Sequence, residues 1–415
     1  MVGGNHCQAQ MEQAAPQGRR SGVLALLSGG LAAQAFLLPA ERAPGAREWR
    51  SARSAPSAPG RGEPKPRAAA LAGLALVLGA SSTRRRSKLR ALPFGISVVG
   101  TGSAAPETVV SNDDLSEIME TNDEWISQRT GIRRRHVLRP EESLASLSAK
   151  AATKALEDAK ISPEDVGMVI HATSTPDDIF GTGPQVASLI GAESAVAFDL
   201  TAACSGFVFA LVTASQYVRS GAFKSVVIVG ADCLSRWVDW SDRGTSVLFG
   251  DGAGAVVITA TDAKDDALIG FELGSDGKGA CHLGVLADNE AISLGGGKEA
   301  GSASYKKLGM NGKEVFRFAT SRVPETLRKL LERHDVSAEE VDWLLLHQAN
   351  RRIMDSAAKR LKIPKEKIIC NLDEYGNTSA ASIPLALDEA VREGRVKRGD
   401  LLACCGFGAG LTWGG

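Results

Sequence analysis

The chain has 415 residues, room for two units of ordinary domain size, and its 48 Lys/Arg balance its 48 Asp/Glu to a formal charge of zero. The balance hides a split: residues 1–90 carry 14 Lys/Arg against 4 Asp/Glu, and the rest carries 34 against 44. In that acidic remainder no basic run is interleaved with aromatics, so the usual sequence signs of nucleic-acid binding are missing. The cysteines (Cys7, Cys204, Cys233, Cys281, Cys370, Cys404 and Cys405) form no C-x-x-C pair. Neither a zinc knuckle nor a disulfide framework is indicated, no metal is expected, and thiols in apolar runs suit a reducing compartment.

Residues 1–91 read as a targeting leader. Pro, Ala, Arg, Ser and Gly dominate and hydrophobic periodicity is poor. An apolar stretch at 23–38 follows Arg19-Arg20, the layout of a signal core. A second, at 68–80, is shorter than the ~20 residues that span a bilayer and precedes Arg84-Arg85-Arg86. This bipartite, acid-poor layout resembles the leaders of proteins imported into plastids that sit inside extra membranes. It implies a mature chain beginning near Leu92 and working in a plastid stroma. A mitochondrial address, a membrane anchor and secretion are the alternatives.

From residue 92 the texture changes. GISVVG, VGMVIHA, SAVAFDL, KSVVIVG and GAVVITA predict buried strands. LASLSAKAATKALEDAK and CSGFVFALVTASQYVRSG, lying between them, predict helices, and the alternation predicts α/β layers. The second half then repeats the first. Ile161-Ser-Pro-Glu-Asp-Val166 is echoed by Val336-Ser-Ala-Glu-Glu-Val341, and Lys154-Ala-Leu-Glu157 by Lys329-Leu-Leu-Glu332, both 175 residues on. Gly221-Ala-Phe-Lys224 is matched by Gly394-Arg-Val-Lys397, and the glycine string 249–254 loosely by 407–410. Two copies of one α/β unit, 92–265 and 266–415, are the simplest reading. A site between them would draw on equivalent strand-to-helix junctions of both.

Three residues occupy such junctions. Cys204 follows a strand and opens a long apolar helix, where backbone N–H groups favour a thiolate. Its small neighbours Ala202, Ala203, Ser205 and Gly206 admit a carbonyl. His347 ends the strand WLLL, and Asn377 follows Gly376 at a point near-equivalent to Cys204, 173 residues on. Each has a plainer reading: a buried structural thiol, a satisfied core histidine, a turn asparagine. GTGS at 100–103 and GDGAG at 250–254 read as structural, since neither completes G-x-G-x-x-G before a helix. The order Cys, His, Asn also occurs in papain-like proteases. The signature C-G-[SA]-C-[WY] is absent, however, and that class is not internally duplicated.

FDLTAACSGF, DEWISQRTGI, SDRGTSVLFGDGAGA, LLLHQANRRI, YGNTSAAS and FGAGLTWG together resemble the signature segments of β-ketoacyl-acyl carrier protein synthase III, over essentially all of 92–415. The resemblance implies the thiolase fold: an α/β protein of two duplicated halves in α-β-α-β-α layers. It implies a triad of Cys204, His347 and Asn377, with backbone N–H groups of Cys204, Gly408 and Ala409 holding an oxyanion. It assigns Trp125, Arg129, Arg243 and Arg352 to coenzyme A and carrier-protein contacts, against plainer readings as a core aromatic and surface charges. Phe180, Phe249 and Phe407 are the candidates for the acyl pocket. The implied reaction condenses an acyl primer from acetyl-coenzyme A with malonyl-acyl carrier protein, in a homodimer, without metal or redox cofactor. Two departures stand out. The chain ends at Gly415 where the family continues its last strand, and Ala409 replaces a glycine common in bacterial members. A type III polyketide synthase and a non-catalytic acyl-binding paralogue are the competing readings.

Overall fold

A computed structural model of the protein describes residues 92–415. The leader expected over 1–91 lies outside the described residues. Strands β1 (Phe94–Ala104), β2 (Met168–Ala172), β3 (Val196–Leu200), β4 (Ser225–Cys233) and β5 (Asp251–Asp262) form one sheet, in the order β1-β5-β4-β2-β3. Strands β6 (Leu273–Ser275), β7 (Trp343–Leu346), β8 (Ile368–Ile369), β9 (Leu402–Gly408) and β10 (Thr412–Gly414) form another, in the order β6-β10-β9-β7-β8.

The two sheets share one pairing pattern. The first two pairings from the β1 edge are antiparallel and the next two parallel. From the β6 edge the sequence is the same. The duplication legible in the sequence is therefore a duplication of topology. One echo is not an equivalence: Phe249 and Gly250 lead into β5, whereas Phe407 and Gly408 end β9, the counterpart of β4. Glycine recurs at both places because backbone packs against backbone there, not because the segments correspond.

Helices α1 (Asp123–Thr130), α2 (Leu144–Ala159), α3 (Gly206–Arg219), α4 (Gly312–Arg333), α5 (Arg351–Leu361) and α6 (Ser382–Arg392) complete the frame. Side-chain alternation along the strands sorts them into layers. In β4, Val227 and Val229 pack outward with the alanine face of α2, while Val226 and Ile228 pack inward with Phe207 of α3 and Ile383 of α6. In β7, Leu344 and Leu346 pack outward with Leu327 of α4 and Ile353 of α5, and Leu345 packs inward. Strands covered on both faces read as near-continuous hydrophobic runs, broken here by buried His171 in β2 and Asp232 in β4. The result is α-β-α-β-α, with α3 and α6 as the central layer and their starts against the cavity residues Cys204 and His347.

Candidate active site

The candidate nucleophile stands on a corner. After β3 the chain makes a 3-10 turn over Ala203–Ser205 and enters α3 at Gly206. Ala203 takes the left-handed conformation at φ 49, an unusual state for a residue with a Cβ. The corner buries Cys204 to 7 % exposure. Burial pushes its thiol up to about 12, against the opposing pull of the Ser379 hydroxyl, which donates to Sγ at 3.3 Å. Burial is the largest influence on this thiol and works against the thiolate expected from its place at a helix N-terminus.

His347 extends the β7 ladder by donating its backbone N–H to Cys405 O at 2.9 Å, which fixes its main chain at the strand's end. Its ring meets Phe407 edge-on at 5.0 Å. Nδ1 lies 2.7 Å from Ser382 Oγ. Burial pulls this histidine down to about 3, so it is neutral at physiological pH. Asn377 is clamped between backbone groups of the first half, giving N–H to Leu248 O at 2.8 Å and accepting from Gly250 N–H at 3.1 Å. A Cβ on Gly250 would fall 2.4 Å from Tyr375 O, so only glycine permits that clamp. The Asn377 Oδ1 accepts from Ser379 N–H at 2.9 Å, which leaves the amide's two N–H donors for the cavity.

Cys204, His347 and Asn377 line one cavity of about 140 Å³, together with Phe249, Phe407 and Gly408. A Cβ on Gly408 would sit 2.6 Å from Cys204 N, so this glycine lets β9 lie against the corner. Ser379 ties the three together. Its hydroxyl reaches Cys204, its N–H reaches Asn377, and its carbonyl accepts from Ser382 Oγ, which in turn contacts His347. Neither serine was singled out from the sequence, although both lie in YGNTSAAS. The signal available was the repeat itself, which marks 379–382 as the second copy's corner.

Comparisons with known proteins give the family. The family described as 3-Oxoacyl-[acyl-carrier-protein (ACP)] synthase III matches residues 198–277, and its C-terminal counterpart matches 331–415. A Microcystis aeruginosa protein named β-ketoacyl-[acyl-carrier-protein] synthase III is 58% identical over 324 residues, 78% of this chain and 97% of its own length. The Arabidopsis thaliana protein of that name, called chloroplastic, is 52% identical over 343 residues, 80% of this chain and 85% of its own. The crystal structure of the Aquifex aeolicus synthase III superimposes with a TM-score of 0.69 at 43% identity, covering 77% of this chain and 98% of that one. The chain belongs to the β-ketoacyl-acyl carrier protein synthase III family. It is a condensing acyltransferase of thiolase fold.

The rest of the synthase site is built outward from the cavity. Asn350 lines the cavity, caps α5 by accepting from Arg352 N–H at 2.9 Å, and donates to Arg129 O at 3.0 Å. That bond links the cavity to α1, where the Arg129 guanidinium lies 4.5 Å from the Trp125 ring centre and that of Arg243 lies 5.1 Å away. Arg352 stands 5.4 Å over Phe316, itself part of the cavity wall. An aromatic flanked by exposed guanidinium groups can take a flat base and phosphates.

Two residues named from the sequence lie outside the cavity lining of the single chain. Phe180 is 96 % exposed and does not line the cavity, because its loop turns the side chain to solvent after β2. Ala409, expected for its backbone N–H alone, keeps its side chain out of the cavity lining and packs it against the cluster of Phe249, Leu283 and Leu308. Phe249 and Phe407, by contrast, are wall residues. The Cys204–Asn377 equivalence also shifts. The left-handed residue lies three positions before the central helix in both copies, Ala203 before Gly206 and Ser379 before Ser382. Cys204 is therefore matched by Ala380, and Asn377 lies three residues earlier in its copy. Among the described residues no cluster of His, Cys, Asp or Glu could hold a metal ion.

Proposed function

We propose that this synthase loads an acetyl group from acetyl-coenzyme A onto Cys204 and condenses it with malonyl-acyl carrier protein, giving a 3-oxoacyl-carrier protein that starts fatty acid synthesis. The observation that carries the reading is one cavity lined by a thiol, a neutral imidazole and an amide with free donors.

Acyl transfer exchanges one thiol for another, so the Cys204 proton ends on the departing coenzyme A. Malonyl-carrier protein then enters past Trp125, Arg129, Arg243 and Arg352. Loss of carbon dioxide leaves an enolate, whose oxygen His347 and Asn377 stabilise as hydrogen-bond donors. Its carbon attacks the acyl-Cys204 carbonyl, and the backbone N–H groups of Cys204 and Gly408 hold the tetrahedral oxyanion. Sγ leaves and takes up one proton. Departure of carbon dioxide drives the condensation, so the reaction asks for no metal or redox cofactor.

The partner in solution is a second copy. The first sheet ends in the edge strand β3, which pairs on one side only, and the segment leading to it exposes Ile179, Phe180 and Leu189, with Val196 exposed at the start of the strand. Apolar groups beside a free strand edge suit a self-complementary interface. The compartment is a plastid stroma, supported by the leader's composition and by the chloroplastic Arabidopsis relative. No helix among the described residues is long and apolar enough to cross a membrane.

The deciding experiment offers mixed acyl-coenzyme A primers and reads the adduct on Cys204 by mass spectrometry. Malonyl-carrier protein or malonyl-coenzyme A is then added. An acetyl adduct converted to 3-oxoacyl product only with the carrier protein supports the reading. Iterated products from malonyl-coenzyme A would mark a polyketide synthase instead, and no adduct would mark a non-catalytic binder.

A further inference from the structure

Ser382 opens α6 with a buried hydroxyl that meets three groups. Ser379 O lies at 2.8 Å, Gln348 N at 3.3 Å and His347 Nδ1 at 2.7 Å. A hydroxyl has one proton to donate and two lone pairs to receive with. The carbonyl can only accept and the amide N–H can only donate. With the hydroxyl proton on Ser379 O, the third contact closes only if Nδ1 carries the ring proton. Nε2, the nitrogen left for the cavity, is then a bare acceptor.

That arrangement conflicts with the donor role assigned to His347 above, which needs a proton on Nε2. The same hydroxyl resolves the conflict. Turned about its Cβ–Oγ bond from Ser379 O to Nδ1, it makes Nδ1 the acceptor, and the neutral ring then carries its proton on Nε2. The hydroxyl keeps its own proton throughout. The ring loses one proton from Nδ1 and gains one at Nε2, exchanged with solvent water in the cavity, so charge is unchanged. Turning the ring over would be a rival route, but Phe407 packs edge-on against it at 5.0 Å and Gln348 beside it is pinned through Nε2 to Leu346 O at 2.7 Å.

We propose that Ser382 is the positioning residue that selects the tautomer of His347. It holds the free enzyme's ring as Nδ1–H and turns to Nδ1 when a malonyl thioester arrives, so that Nε2 donates to the thioester oxygen. The second half rests on the condensing function proposed above; the first half rests on the geometry alone. The device separates the two half-reactions. During acylation no Nε2–H competes for the primer, and during condensation the donor appears.

The test is ¹⁵N NMR of the full chain labelled at histidine, with His347→Gln assigning the His347 signals. The free wild-type protein is expected to show a protonated Nδ1 and a bare Nε2. A non-decarboxylating malonyl thioester should move the proton to Nε2. Ser382→Ala should lose the resting Nδ1–H form, and slow malonyl decarboxylation on the order of 10- to 100-fold while self-acylation changes little. Ser382→Thr, which keeps a hydroxyl, should restore both readouts. A free wild-type ring already protonated at Nε2 overturns the proposal without any variant. So does a Ser382→Ala ring spectrum identical to wild type, or an Nδ1–H ring that persists under the bound thioester. Wild-type protein that never decarboxylates malonyl thioesters would sink the condensing function instead, because the spectrum of the free protein reads the resting tautomer independently.

Discussion

At the start of α3, Ala203 takes φ 49 and a cysteine follows; at the start of α6, Ser379 takes φ 51 and an alanine follows. The backbone corner is the same, yet its load differs. In the first copy the residue after the turn, Cys204, borders the cavity. In the second, Ala380 is 1 % exposed within the apolar central layer, and its N–H is held by the Asp232 carboxylate at 3.2 Å. The strand ends differ in the complementary sense: β2 ends in buried Ala172, while β7 is followed by His347. Duplication supplies two matched corners, and the chemistry comes from loading them unequally. In the function proposed here, one copy brings the nucleophile and the other brings the donors that line the same cavity.

The largest effect should come from emptying the first corner. Cys204→Ala is expected to lower primer transfer on the order of 10⁴-fold or more, read as radiolabel from acetyl-coenzyme A on the protein. Strong residual labelling would move the nucleophile elsewhere. The alternatives are poor, since neither Cys233 nor Cys404 lines the cavity, and burial holds all three thiols up at about 12. The thiol's proton affinity thus does not separate Cys204 from inert cysteines. Its cavity and the Ser379 hydroxyl do.

Next come the donors of the second copy. His347→Ala and Asn377→Ala should each reduce malonyl decarboxylation by roughly 10²- to 10³-fold, the usual range for one lost oxyanion donor. Self-acylation should persist in both. Variants that lost acylation and kept decarboxylation would reverse the division of labour between the copies.

Much of this division was legible in the sequence, because its signals are local. A β-branched run, small residues and an apolar helix mark the corner of Cys204. The WLLL strand exit marks His347, and a Gly-Asn turn marks Asn377. What escaped depends on groups far apart in the chain. Ser379 and Ser382 acquire their roles from a left-handed turn brought against Cys204 and His347 by the approach of the two halves. Phe180 has the size of a pocket residue but not the direction, which no local pattern encodes. Burial works against the thiolate expected at Cys204, and its depth, unlike a helix N-terminus, is not visible in sequence.

A smaller effect should follow from trying to make the copies alike. With Cys204→Ala in place, Ala380→Cys puts a thiol at the matching position of the second corner. The site is filled by the central layer, so the added sulfur should cost about 1–3 kcal/mol in overpacking. It should restore no acyl transfer. Chemical denaturation reads the first expectation and the radiolabel assay the second. Recovered labelling would mean that the corner alone, without its cavity, makes a nucleophile.

The mildest way to probe the asymmetry is pH. Burial pulls His347 from 6.5 to about 3, so between those values the unfolded chain binds a proton that the folded protein refuses. Stability from this group is therefore full above pH about 6.5 and is lost as pH falls through the window, by at most ~1.4 kcal/mol per pH unit. Asp251 works against it. Burial raises that carboxyl from 3.8 to about 6, so the folded protein holds the extra proton there and its contribution grows as pH falls. A wild-type profile alone would blur the two, but Asp251 is common to wild type and His347→Gln. The difference in unfolding free energy between these proteins should be constant above pH 7 and move in favour of the variant as pH drops toward 4.5. An unchanged difference across that range would mean that the folded ring accepts a proton as readily as the unfolded one. The imidazole would then be solvated well enough to carry charge, and the second copy's donor would be a cation instead of a neutral tautomer.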